Sequence, residues 1–459
     1  MHSLRAPTWL SAIATATLLC GCAALPNVDA MDRSATAAPT VSNARGAIAP
    51  QQANALFEKR WARAALDLKA RAALEEAATG VPLIAGNKIT LLFDGPQTMQ
   101  AMMDAAGAAT DSINLETYIF DQDDIGLKFA DLLIDKQRHG VAVNVLYDSV
   151  GTLGTPQAFF DRMRAAGIGL IAFNPVNPLQ GGAKWRLNNR DHRKVMIVDG
   201  KIAFTGGLNI SGTYANSSLF RSKSKSANPK DVGWRDTHIK IEGPAAAALQ
   251  WMFIDNWVHQ EAGELQERNY FPPLAAVGDK IVRVLATKPE HGYEIYKSFV
   301  LALEQAKKSI HITCAYFVPD KQVIDALGAA VKRGVDVRLI LPGVSDNGVV
   351  ALASRGFYDE LLERGVKIAE LQVSVLHAKT AVIDGNWSTV GSSNIDNRSF
   401  LYNYELNVVV VDARFGAEME SAYNEDLRHS VEITKARWES RPIGERIKEW
   451  AAKLMQNWL

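Results

Sequence analysis

Apolar positions along this chain follow two rhythms, short unbroken runs and helical spacing, and the order of the two repeats. Ser112-Ile113-Asn114-Leu115 through Ile119-Phe120 has the pattern of a buried strand. Ser309-Ile310-His311-Ile312 through Tyr316-Phe317 is its counterpart. Each is followed by a helical stretch and then by a Gly-led strand, residues 140–146 in the first case and 334–340 in the second. Strands alternating with helices predict a parallel sheet with helices on its faces. The chain is therefore expected to be α/β, with two tandem homologous halves at 81–272 and 273–430 and a boundary near Pro272-Pro273. Leu56, Trp61, Ala64 and Leu68 predict a helix within 51–80, stopped at Gly80. Residues 23–50, rich in Ala, Pro, Ser, Thr and Asn without apolar periodicity, are expected to be a flexible linker. In 431–459, Ile433, Trp438, Ile443, Ile447, Trp450 and Leu454 predict one or two amphipathic helices. Packing on the body is their expected role, with the membrane surface as the alternative.

Composition narrows the partners. The 459 residues are 47% hydrophobic and 22% charged, enough to bury a core, and fit two to four domains of roughly 150 residues. Fifty basic residues balance fifty acidic ones. That argues against nucleic acid as the main partner, since phosphate affinity comes from a Lys/Arg surplus. Three cysteines exclude a disulfide scaffold. Residues 1–22 have the form of a secretory signal, with Arg5 ahead of an apolar stretch from Trp9 to Leu19. Its end, Leu19-Cys20-Gly21-Cys22 followed by Ala23, resembles the bacterial lipobox. That resemblance implies lipidation of Cys22 and a periplasm-facing lipoprotein of the bacterial cell envelope, at the outer membrane. Cys314 is then the one remaining thiol, expected in the core. The basic stretch from Arg221 to Lys230 is expected to be a solvated loop, with contact to anionic headgroups as the alternative.

The candidate chemistry occupies the same place in both halves. His192-Arg193-Lys194 precedes four apolar residues and Asp199-Gly200, and His377-Ala378-Lys379 precedes Thr380 through Ile383 and Asp384-Gly385. Both read H-x-K-x4-D-G. Gly206-Gly207-Leu208-Asn209 and Gly391-Ser392-Ser393-Asn394 follow at the same distance. His, Lys, Asp and Asn all repeat at one offset (377−192, 379−194, 384−199 and 394−209 are each 185), which chance does not produce. In an extended chain residues i and i+2 share a side, so His192 and Lys194 project together, as do His377 and Lys379. The Asp-Gly pairs are hairpin signals, and the returning strand brings Asn209 or Asn394 beside each His/Lys pair. Two halves packed face to face would make one site of two His, two Lys and two Asn. An imidazole nucleophile, an imidazolium acid and four phosphate-facing donors suit attack on a phosphodiester. Asp199 and Asp384 are candidates both for that chemistry and for the turns they occupy. There is no carboxylate cluster of magnesium type, no HExxH and no CxxC, so neither metal nor cofactor is expected.

The duplicated motif resembles the phospholipase D superfamily, and its surroundings resemble the bacterial cardiolipin synthase branch, over about residues 88 to 430. The telling segments are Asn189 through Lys194, Trp234-Arg235-Asp236-Thr237-His238 with Glu242-Gly243-Pro244, and Tyr316-Phe317-Val318-Pro319-Asp320. Gly391 through Phe400 and Asn403-Tyr404-Glu405 complete them. The resemblance implies a pseudo-two-fold pair of halves and a two-step, metal-independent transfer on anionic glycerophospholipids. His192 would be the nucleophile and His377 the acid/base, or the reverse. Lys194, Lys379, Asn209 and Asn394 would bind phosphate oxygens. Asp236 would orient His377, and Glu405 would orient His192. One neutral and one protonated imidazole imply a bell-shaped pH profile. A phosphatidyltransferase making cardiolipin from phosphatidylglycerol is the function implied, with hydrolysis to phosphatidate or a nuclease of the superfamily as alternatives. Membrane-embedded relatives begin with two transmembrane helices, whereas this chain offers the lipobox.

Overall fold

The computed structural model describes residues 24–31, 38–62, 67–177, 186, 188–215, 232–260, 263–289, 291–457 and 459. The signal with Cys22 and the basic stretch from Arg221 to Lys230 lie outside the described residues. In the first half, Ser112–Thr117, Ala142–Asp148 and Gly169–Phe173 run parallel, and every residue of the first two is buried. Val195–Val198, Ile202–Gly206, His238–Glu242 and Leu83–Leu92 extend that sheet through antiparallel pairings. The second half repeats the order with Lys367–Leu376, Asp336–Val344, Ser309–Cys314, Lys379–Ile383, Trp387–Gly391, Asn403–Val411 and Lys280–Thr287. Leu83–Leu92 also pairs antiparallel with Lys280–Thr287, so the two sheets join along the pseudo-two-fold.

Their inner faces pack on each other. One core mixes Ile197, Ala203, Ile239 and Ile241 from the first half with Val382, Val390, Leu406 and Val408 from the second. Helices Ala245–His259 and Ala413–Arg428 contribute Leu249, Phe253, Phe415 and Met419 to it. Separate cores lie under the outer helices of each half.

The span 23–50, expected as a flexible linker, is packed against the body where it is described. Val28 is fully buried, and its N–H donates to Gln322 Oε1 at 2.8 Å. Val41–Asn43 adds to the sheet in parallel with Leu83–Leu92. Single anchors held by backbone hydrogen bonds leave no period in the sequence, which is why the segment looked structureless. Two helices, Pro50–Trp61 and Leu68–Thr79, fall in 51–80. Gly80 closes the second at φ +70°, a conformation that suits a residue without Cβ. Residues 263–279, around Pro272-Pro273, hold no helix or strand. Past the second half, Ser430–Ile433 pairs with Lys367–Leu376 before helices Lys435–Glu439 and Ile443–Lys453 begin. Cys314 is buried, and burial pushes its thiol up to about 12. No helix among the described residues is long and apolar enough to cross a membrane.

Candidate active site

Each motif histidine is held by the opposite half, and the backbone does the first part of that work. Arg190-Asp191 pairs in parallel with Asn403-Tyr404, and the His192 N–H donates to the Tyr404 carbonyl at 3.0 Å. Trp234-Arg235 pairs in parallel with Val375-Leu376, and the His377 N–H donates to the Arg235 carbonyl at 2.8 Å. One residue after each of those carbonyls sits a carboxylate. His192 Nδ1 lies 3.0 and 3.1 Å from the two oxygens of Glu405, and His377 Nδ1 lies 2.7 Å from Asp236 Oδ2. An ionised carboxylate only accepts, so Nδ1 carries the proton in both rings and Nε2 is left with its lone pair.

Charge is concentrated in a dry place. His192 is 12% exposed on its side chain, His377 7% and Glu405 0%. Burial, reinforced by Lys194, pulls the His192 imidazole down to about 4 although Glu405 opposes it. Burial and then Lys379 likewise lower His377 against the pull of Asp236. Burial brings the Lys194 ammonium down to about 7 and lowers Lys379 as well. Burial would raise Glu405, but His192 and Lys194 outweigh it and hold its carboxyl at about 2. His377 and Lys379 similarly keep Asp236 low against burial. Lys194 feels Lys379 and Asp236, and Lys379 feels Glu405, so the two halves form one electrostatic site. Both rings are displaced toward the neutral form. A bound phosphodiester anion would raise both.

The two histidines have different walls. Around His192, Glu405 also accepts from Ser392 Oγ at 2.5 Å and Asn403 Nδ2 at 3.1 Å. Tyr118 meets that imidazole edge-on at 5.2 Å between centroids, and Lys194 Nζ lies 5.4 Å from the Tyr118 ring centre. Around His377 the walls are aromatic, with Tyr214 at 5.6 Å and Trp234 at 5.3 Å. Ser392, Tyr118 and Tyr214 have no signal of their own in the sequence. Tyr214 and Ser399 share the 185 offset (399−214), yet differ in type, which marks where the halves diverged.

The asparagines are placed unequally. Asn209 Oδ1 accepts from the Ile119 N–H at 3.0 Å and its Nδ2 donates to Tyr214 Oη at 2.8 Å, so at most one N–H is left for a ligand. Asn394 lines a small recess with Lys379 and Ser393, and its Oδ1 has no partner among the described residues. Asp199 and Asp384 are corrected from the catalytic set. Each follows its lysine by five residues, roughly 16 Å of strand. Both adopt positive φ, +52° and +56°, in turns closed by Gly200 and Gly385. Asp199 accepts from the N–H groups of Thr110, Asp111 and Ser112, and Asp384 from those of Lys307, Lys308 and Ser309. These carboxylates fasten each motif hairpin to the neighbouring strand, away from the reacting groups.

Among the described residues no group of three or more His, Cys, Asp or Glu side chains is arranged to hold a metal ion. The arrangement can instead offer one imidazole lone pair to phosphorus and a second imidazole to the leaving oxygen, with two ammonium groups for the charge.

Comparison with known proteins agrees with this geometry. The family described as "Cardiolipin synthase, PLD-like domain" matches residues 102–219 and 300–427, one segment in each half. The chain is 35% identical over 378 residues to the cardiolipin synthase of Geobacillus thermodenitrificans, spanning 82% of this chain and 73% of that protein. It is 33% identical over 378 residues to the cardiolipin synthase of Alkalihalophilus pseudofirmus, with the same coverage. The crystal structure of phosphatidylserine synthase from Haemophilus influenzae superposes with a TM-score of 0.64 at 14% identity, over 84% of this chain and 99% of that one. At that identity the likeness is one of fold. With both matched segments each contributing a His/Lys pair to one site, the chain belongs to the cardiolipin synthase family of the phospholipase D superfamily.

Proposed function

We propose that this protein is a phosphatidyltransferase that joins two molecules of phosphatidylglycerol into cardiolipin and glycerol. The observation that carries the reading is the pair of His–carboxylate contacts, each made across the halves and each flanked by a buried lysine. His192 Nε2 attacks the phosphorus of the first lipid, and the bond to its terminal glycerol oxygen breaks. Protonated His377 gives that oxygen its proton, leaving a phosphatidyl-histidine. The now neutral His377 takes the proton from a glycerol hydroxyl of the second lipid, whose oxygen displaces His192. Lys194 and Lys379, with Asn394 and the remaining N–H of Asn209, hold the non-bridging oxygens. Glu405 and Asp236 keep each ring in its Nδ1–H form and stabilise the imidazolium. Excluding water from the second step separates a synthase from a phospholipase D.

Purified protein incubated with phosphatidylglycerol vesicles, without divalent metal, is expected to form cardiolipin and glycerol in equal amounts. Phosphatidate and glycerol without cardiolipin would make the enzyme a hydrolase. The lipobox-like end of the signal supports a further proposal, that Cys22 carries acyl chains and the enzyme faces the periplasm from the outer membrane. Radioactive palmitate is expected to label the chain and to fail in Cys22→Ser; label persisting in that variant would discard the anchor.

A further inference from the structure

The C-terminal helix Ile443–Lys453 turns its apolar row away from the protein. Ile443, Ile447, Trp450 and Leu454 are 72, 60, 63 and 63% exposed. Their spacing of four, three and four residues places them in one row, roughly 16 Å long at 1.5 Å per residue. The side that packs inward carries Glu449 and Ala452, which are buried, so the apolar row is not the side that attaches the helix. Arg446 is exposed on one flank of that row with Lys453 beside it, while exposed Lys448 lies about 130° round the helix from the row's centre. Glu445 falls toward the inner side, and Glu449 accepts from Arg441 Nε at 2.9 Å. The row also borders the groove toward helix Tyr358–Glu363, where Ile443, Ile447 and Trp450 meet Asp359, Glu360 and Glu363; Asp359 is paired there with Arg441 at 3.1 Å and Glu360 with Arg364 at 2.9 Å.

The helix is also continuous with the site. Just past its end, the Leu459 carbonyl accepts from the Arg398 N–H at 3.1 Å, and the Gln456 carbonyl accepts from Asn397 Nδ2 at 3.3 Å. The short helix Asn397–Leu401 that those bonds fasten begins three residues after Asn394. The Arg398 side chain crosses to Asn188 Oδ1 at 3.2 Å, four residues before His192.

We infer that the outward face of Ile443–Lys453 seats on the surface of an anionic phospholipid bilayer and holds the active site against it. An apolar row with an indole in it and a cationic flank is an arrangement that lies in the interface of such a bilayer. The cationic flank complements phosphatidylglycerol headgroups. A single row of four side chains is also short of the about 800 Å² per partner that a stable dimer buries. The choice of occupant rests on the phospholipid substrate proposed above.

Flotation of the full chain with phosphatidylglycerol or phosphatidylcholine vesicles tests this, every arm carrying Cys22→Ser so that no acyl chain contributes. The parent is expected to bind phosphatidylglycerol vesicles more tightly than phosphatidylcholine ones. The pair Ile447→Ser/Trp450→Ser should weaken binding at least tenfold, and Arg446→Glu should reduce the preference for the anionic lipid. Turnover of short-chain phosphatidylglycerol below its micelle concentration should stay at the parent's rate in both, since the row touches no reacting group. Unchanged vesicle binding overturns the inference, as does a parent dimer that the serine pair converts to monomer without loss of vesicle binding. If the parent turns over no lipid yet its vesicle binding depends on this face, the proposed reaction fails while the docking surface stands.

Discussion

Each reacting histidine here works under a double constraint, a carboxylate from the other half and a burial that disfavours charge. Removing the first is expected to be costly. Glu405→Gln and Asp236→Asn should each lower kcat by roughly 10³- to 10⁴-fold, because an amide no longer specifies the Nδ1–H tautomer or balances the imidazolium. His192→Ala and His377→Ala should each abolish turnover, and normal activity in either would end the two-histidine account. The second constraint appears in pH dependence. Both imidazoles are displaced downward, and an entering phosphodiester raises them. The basic limb of kcat/KM, which reports the free enzyme, should therefore lie at lower pH than that of kcat, and coincident limbs would remove the substrate's charge from the account. The same shifts govern acid stability. His192 at about 4 sits below its ordinary 6.5, and Glu405 at about 2 below its ordinary 4.5. In both cases the unfolded chain binds protons first as pH falls, so stability declines as pH drops from 6.5 through 4 and on toward 2. His192→Gln should lose part of the decline between pH 6.5 and 4, measured as urea midpoints across that window.

Two-residue strands carry much of the geometry. Arg190-Asp191 and Trp234-Arg235 are too short for any periodicity, yet they set each histidine against its carboxylate through backbone bonds. Arg235 anchors one of them with paired bonds to Asp426 at 2.7 and 2.9 Å, both side chains buried. Arg235→Met would leave Asp426 buried without its counter-ion and should cost about 3–5 kcal/mol in denaturant unfolding. Close approach matters as much. A Cβ on Gly207 would stand 2.1 Å from Asp236 Oδ1, so Gly207→Ala must displace the carboxylate that orients His377. Activity should fall on the order of 10²-fold while circular dichroism stays that of the parent. Unimpaired turnover would show that Asp236 tolerates the shift. The Asp-Gly turns make the complementary point at this scale. Their sequence announces a hairpin, and the structure assigns their carboxylates to the neighbouring strand's N–H groups rather than to phosphate.

The two motifs meet in one site because the halves share a joined sheet and a core. Mixing inactive His192→Ala and His377→Ala chains should restore nothing, since each chain needs both its own motifs; recovered activity would mean exchange of halves between chains. The sequence by itself determined the duplication, the α/β class and the identity of the His/Lys pairs. Those depend on local periodicity and on a repeat whose 185-residue offset is visible without a structure. Glu405 and Asp236 were reachable only through resemblance, as nothing local distinguishes them from other carboxylates. Their pairing with the other half's histidine was implied by the same resemblance, and the structure shows it. Tertiary structure alone decided that Asp199 and Asp384 are fasteners, and that residues 24–31 and 38–50 are packed. It alone decided which face of Ile443–Lys453 is turned outward. The reason is the same throughout: a pattern reports which side chains share a face, whereas contacts across more than 140 residues, such as His377 with Asp236, are fixed only by how the faces meet.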